Sequence, residues 1–93
     1  MTALNLTHCK VGDRAEIDVD VDEAFVDAFV EFSGDRNPLH VDAGYASTTH
    51  FGRRVVHGMS YASLFSRLIG MELPGPGALW MSQSFRFTNP AYL

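Results

Sequence analysis

The sequence predicts an α+β domain. Three observations carry that reading. Residues 15–22 alternate strictly between apolar and acidic side chains, residues 23–33 repeat apolar side chains at helical spacing, and a second helical stretch over residues 58–70 is apolar around most of its surface. In the first element, Ala15, Ile17, Val19 and Val21 face one way, and Glu16, Asp18, Asp20 and Asp22 face the other. That is the period-two pattern of a half-exposed strand. Its acids read as a solvated face rather than a metal site. Asp22 then serves as N-cap of a helix over residues 23–33, with Glu23 beside the positive end of its dipole. Phe25, Ala28, Phe29 and Phe32 form the apolar face, and Gly34 stops the helix.

Asn37-Pro38 breaks the chain, since a residue before proline avoids the helical region. Residues 42–47 predict a helical turn, and residues 48–56 a loop carrying Gly52, Arg53 and Arg54. Over residues 58–70, Met59, Tyr61, Ala62, Leu64, Phe65, Leu68 and Ile69 leave polar gaps mainly at Ser60, Ser63, Ser66 and Arg67. An apolar surface this broad implies a helix surrounded by protein, with Gly70 as its C-cap. Pro74-Gly75-Pro76-Gly77 forms a turn, residues 78–88 are read as an aromatic-rich strand, and Asn89-Pro90 ends it.

Composition narrows the function classes. Ninety-three residues with 46% hydrophobic and 19% charged content fit one small packed domain. Seven Lys and Arg stand against eleven Asp and Glu, a net charge of -4, which speaks against nucleic acid as a partner. The lone Cys9 excludes an internal disulfide framework and fits a reducing, cytoplasmic setting. Residues 1–6 have neither the basic start nor the apolar core of a signal peptide, and no stretch approaches the roughly 18 apolar residues of a membrane helix. A chain this short buries only about 60–65% of its unfolded surface, so its core needs help from a partner subunit or from further residues.

The stretch 32–40 places Asp35 and His40 five residues apart across the Asn37-Pro38 bend. A bend lets two short side chains converge on one point, where a carboxylate and an imidazole can hold and polarise a water. Asp and Asn beside a proline turn also commonly cap local backbone amides, and spacing alone leaves both readings open. A second segment, Val55-Val56-His57-Gly58-Met59, enters the apolar helix through a glycine. A first-turn amide at Gly58 has no intrahelical partner and can face a carbonyl oxygen on which charge develops. Tight helix packing is the alternative use of that glycine. His40, His50 and His57 show no zinc-type spacing, so no metal is expected. His57 is read as orienting the loop or packing beside the site. Arg53 and Arg54 are read as forming local ion pairs, ahead of contacts with the phosphates of a nucleotide-bearing substrate. Trp80, Phe85 and Phe87 read as core, with one face of their strand able to line an apolar tunnel.

Residues 33–40, Ser-Gly-Asp-Arg-Asn-Pro-Leu-His, followed by residues 51–59, Phe-Gly-Arg-Arg-Val-Val-His-Gly-Met, resemble the MaoC-like dehydratase signature, above all that of (R)-specific enoyl-CoA hydratases. The resemblance runs from about Val11 to the C-terminus. It implies a hot-dog fold, an antiparallel sheet wrapped around a long central helix, with residues 58–70 as that helix. It also implies a homodimer, or a heterodimer, formed by pairing two such sheets. The implied reaction is reversible addition of water to a trans-2-enoyl thioester of coenzyme A or acyl carrier protein, without a cofactor. Carried over by position, Asp35 and His40 match the catalytic pair and Gly58 the oxyanion amide. Asn37 matches a position shaping the site, and Ser66 a serine that hydrogen-bonds the catalytic carboxylate.

The family's sheet is completed by strands beyond a segment like residues 89–93, so the expectation is a single C-terminally truncated domain over residues 1–93. A non-catalytic, partner-dependent hot-dog subunit is the alternative function. The intact Asp-Asn-His set argues against it, and also against thioesterase chemistry on the same fold.

Overall fold

The computed structural model describes residues 7–93. The first six residues, on which the absence of a signal peptide was read, lie outside the described residues. The chain divides into two compact units, one of residues 19–61 and 86–93, the other of residues 62–85 with the described part of 1–18.

In the first unit, α1 (Glu23–Ser33) has the predicted bounds. Asp22 Oδ1 accepts the Phe25 N–H at 2.9 Å, and Glu23 sits in the first turn. Gly34 closes the helix at φ 76°, its N–H reaching the Val30 carbonyl at 2.8 Å. A residue with a Cβ adopts that left-handed conformation only at a cost. The buried face differs from the expected one. Val26 is 1% exposed, whereas Phe32 is 84% exposed and Ala28 also faces solvent. Phe29 turns the helix toward His57, the two rings lying 4.8 Å apart between centroids.

The break at Asn37-Pro38 is also a restart. Asn37 Oδ1 accepts the Leu39 N–H at 3.0 Å and caps α2 (Pro38–Val41), where proline at the first position loses no hydrogen bond. Asp42 repeats the device at 3.0 Å on Tyr45 for α3 (Ala43–Ser47), the helical turn predicted from sequence. Residues 54–56 are held from two sides. Val55 N–H donates to the Leu39 carbonyl at 3.2 Å, while Val56 N–H donates to Ala91 at 2.8 Å and Leu93 N–H to Arg54 at 3.2 Å. That double anchorage carries the chain into α4 (Gly58–Ala62), which opens in this unit.

Neither expected strand forms. Among the described residues the β pairing is one isolated antiparallel bridge, Val55 with Tyr92. A strand needs a ladder partner, and among the described residues neither residues 15–22 nor residues 78–88 have one. The alternation survives as exposure, with positions 15, 17, 19 and 21 half-buried and the four acids exposed. The single helix expected over residues 58–70 is likewise corrected. It breaks at Ser63 and resumes as α5 (Leu64–Arg67), which runs into a π-helical turn (Leu68–Glu72). Gly70 therefore lies inside the turn, and the Leu73 N–H closes it on the Leu68 carbonyl at 2.8 Å. The apolar surface is not enclosed, since Met59 is 56% exposed and Phe65 49%. Among the described residues no sheet forms.

In the second unit, the Phe65 and Phe85 rings meet at 6.0 Å, and His8 Nε2 donates to the Pro74 carbonyl at 3.2 Å. No helix of the described residues is long and apolar enough to cross a membrane.

Candidate active site

The site is built within the unit of residues 19–61 and 86–93 by a relay of short side chains. Ser33 Oγ accepts the Asp35 N–H at 3.1 Å, Asp35 Oδ1 accepts the Asn37 N–H at 3.1 Å, and Asn37 Oδ1 accepts the Leu39 N–H at 3.0 Å. Each step spans two residues, as such side chains do in turns. The backbone-capping reading is seen directly, and it leaves the second carboxylate oxygen of Asp35 uncommitted to the turn. One oxygen of Asp35 caps the backbone, and the other, Oδ2, lies 4.0 Å from His57 Nε2.

One ligand-type atom from each of Asp35, His40 and His57 lies within 4.8 Å of the others. A water making two hydrogen bonds of about 2.8 Å at a tetrahedral angle bridges acceptors roughly 4.6 Å apart, so one water fits between such groups. His40 Nδ1 lies 2.6 Å from the Val55 carbonyl. A carbonyl only accepts, so Nδ1 is the donor, and in the neutral ring it is Nε2 that has the lone pair. The His40 and His57 rings stack with centroids 3.9 Å apart.

Beside them is an apolar cavity of about 290 Å³, lined by His40, Phe51, Val56, Gly58, Tyr61 and Phe87 among others. A Cβ at Gly58 would stand 3.1 Å from Cε1 and Cζ of Phe87, so the ring would have to shift by a few tenths of an ångström to admit one. The Phe87 ring meets Tyr61 edge-on at 5.8 Å. Phe87 is thus a cavity wall rather than core, a role that the aromatic content of residues 78–88 signalled only in outline.

Arg54 takes the local role expected of it. Its Nε donates to the His40 carbonyl at 2.7 Å, and Nη1 donates to both Glu23 oxygens at 3.0 and 2.8 Å. Arg53 donates to the Leu93 carbonyl at 2.8 Å and lies 5.0 Å from the Tyr92 ring centre. His50 packs on Phe51 and stays out of the cluster. Ser66 lies exposed on α5 in the other unit, so the arrangement described here does not include it. The Val55 carbonyl was beyond sequence reasoning, because no residue type announces a backbone acceptor.

Asp35, His40 and His57 have the donor types of a metal site. Their lone pairs do not fit one. His57 Nε2 lies 3.0 Å from the Asp35 carbonyl and so carries a proton, while its Nδ1 is buried. The nitrogen facing the cluster thus has no lone pair for an ion, and the group fits proton handling better.

The MaoC like domain model matches residues 7–93. The (R)-specific enoyl-CoA hydratase of Aeromonas caviae is 45% identical over 84 residues, covering 90% of this chain and 63% of that protein. The (R)-specific enoyl-CoA hydratase of Rhodospirillum rubrum is 41% identical over 81 residues, covering 87% and 56%. Among solved structures, unliganded R-hydratase PhaJ1 from Pseudomonas aeruginosa aligns with a TM-score of 0.88 at 42% identity, over 98% of this chain and 59% of that one. The chain thus spans less than two thirds of the length of these relatives. These matches, with the Asp35–His40 turn and the Gly58 helix start both inside the matched range, show that the chain belongs to the MaoC-like domain family, in the hot-dog fold class.

Proposed function

We propose that this chain carries the acid–base site of an (R)-specific hydratase/dehydratase, adding water reversibly to trans-2-enoyl thioesters. The observation that carries the reading is the convergence of Asp35 and His40 within bridging distance of one water, beside a cavity on which Gly58 opens. In this reading the enoyl chain lies in the cavity with its thioester oxygen toward the Gly58 amide. Polarising that oxygen makes the β-carbon electrophilic. Asp35 holds the water, and His40 Nε2 takes one of its protons as the oxygen bonds to the β-carbon. The electron pair of the double bond moves onto the thioester oxygen. The conjugate acid then returns a proton to the α-carbon, completing addition of one water. Asn37 shapes the site by holding the turn.

The substrate class is an acyl thioester, on coenzyme A or on acyl carrier protein. Both carriers occur in relatives' names, the second in the 3-hydroxyacyl-[acyl-carrier-protein] dehydratase of Arabidopsis thaliana. Assembly as a dimer belongs to the same proposal, supported by large apolar side chains left in solvent, with Leu79 80% and Met81 83% exposed. The free Cys9 thiol supports a reducing, cytoplasmic setting.

The decisive test is Asp35→Asn, assayed by crotonyl-CoA hydration. The expected loss is about 10²–10⁴-fold in kcat with an unchanged unfolding transition. Wild-type rates in that variant would refute the role of Asp35.

A further inference from the structure

His57 is the most constrained polar side chain of the cluster, and the proposed reaction does not use it. It is 3% exposed. Its ring is clasped between Phe29, at 4.8 Å, and the stacked ring of His40, at 3.9 Å. Nε2 lies 3.0 Å from the backbone carbonyl of Asp35, which only accepts, so Nε2 is the donor. Nδ1 is buried without a hydrogen-bond partner. Core packing alone does not account for such a side chain. A phenyl ring would keep both ring contacts and remove an unsatisfied buried polar atom, which costs stability wherever it occurs.

We infer that His57 is a positioning residue: its Nε2–H pins the Asp35 backbone while its face sets the plane of the His40 ring, at a cost in stability. This rests on the hydratase reading given above. The single hydrogen bond ties the turn carrying the carboxylate to the segment that enters α4, and the stack ties the second proposed catalytic group to the same ring. Releasing either moves the two groups relative to one another. A misplacement on the order of 1 Å is worth about 10²-fold in rate.

Two variants separate the contributions. His57→Phe keeps the stack and loses the donor. It is expected to unfold at the same or a higher temperature than wild type, yet to lose about 10²-fold in kcat for crotonyl-CoA hydration, with KM within about threefold. His57→Gln has an amide N–H able to reach the same carbonyl, and is expected to recover most of that loss. Three results would overturn the inference: wild-type kcat in His57→Phe, equal losses in both variants, or a fall in unfolding temperature that accompanies the lost rate. If the wild-type chain hydrates nothing, the reaction assignment falls separately. Nitrogen-15 shifts of the imidazole would still decide the placement, and a proton on Nδ1 of His57 would overturn it.

Discussion

Arg54 offers a test of which contact fixes the turn that presents His40. Its guanidinium makes two kinds of bond, one to the His40 carbonyl at 2.7 Å and one to the Glu23 carboxylate at 2.8 Å. The Arg54 side chain is 15% exposed and Glu23 60%, so the ion pair is largely screened. Pairs of that kind contribute about 0.2–1 kcal/mol. The bond to the carbonyl has a charged donor in a part-buried setting, where about 1.5–3 kcal/mol is usual. The carbonyl contact therefore outweighs the ion pair, although the latter is the more visible feature. Arg54→Met, which keeps the stem, is expected to cost about 2 kcal/mol, or roughly 8–16 °C in a domain of this size. Glu23→Gln is expected to cost about 0.5 kcal/mol, or roughly 2–4 °C, and the double variant to show a coupling below about 1 kcal/mol. In 1 M salt the Debye length is about 3 Å, so the Glu23 contribution should vanish while most of the Arg54 effect persists. Thermal and urea unfolding of the four proteins measure this cycle. A Glu23→Gln loss equal to that of Arg54→Met, or one abolished by salt in both variants, would refute the ranking.

Two further outcomes follow from local geometry. Asp22→Ala removes the cap on α1 and should lower stability by about 1 kcal/mol, read as a reduced urea midpoint, with hydration kinetics unchanged. Gly58→Ala places a methyl group 3.1 Å from the Phe87 ring, which is 49% exposed and would have to retreat by a few tenths of an ångström. Alanine also gains up to about 1 kcal/mol in helix propensity, so the unfolding temperature should barely change. The methyl narrows the cavity beside the Gly58 amide, and kcat for crotonyl-CoA should fall by about 10²-fold. An unfolded Gly58→Ala protein would show that Phe87 cannot yield.

What the sequence disclosed follows how far each interaction reaches. Asp22, Gly34, Asn37 and Asp42 act on backbone groups within four residues of themselves. The bounds of α1 and the turn at residues 42–47 were accordingly legible. The bend that brings Asp35 and His40 together was legible for the same reason. The strands over residues 15–22 and 78–88 were not, because a ladder depends on a partner elsewhere in the chain, and period-two patterning specifies a face without supplying that partner. The buried face of α1 was misjudged because Phe32 and Val26 are equally apolar. Only the position of His57, twenty-five residues beyond Phe32, decides which one turns inward. Phe87 against Gly58 is a contact of the same non-local kind.

The choice of proposed base shows the same division most sharply. By residue type, His40 and His57 are equivalent, and their stacked rings place both beside Asp35. Backbone carbonyls make them opposites. Val55 fixes the proton of His40 on Nδ1, which leaves the lone pair of Nε2 able to accept from a water. Asp35, through its own carbonyl, fixes the proton of His57 on Nε2 and turns the remaining lone pair into the protein interior. In the proposed reaction His40 receives the proton, while His57 donates to the Asp35 carbonyl. A pair of equivalent rings would leave the direction of transfer to chance. Two carbonyl oxygens, invisible to any motif, are what distinguish the two rings.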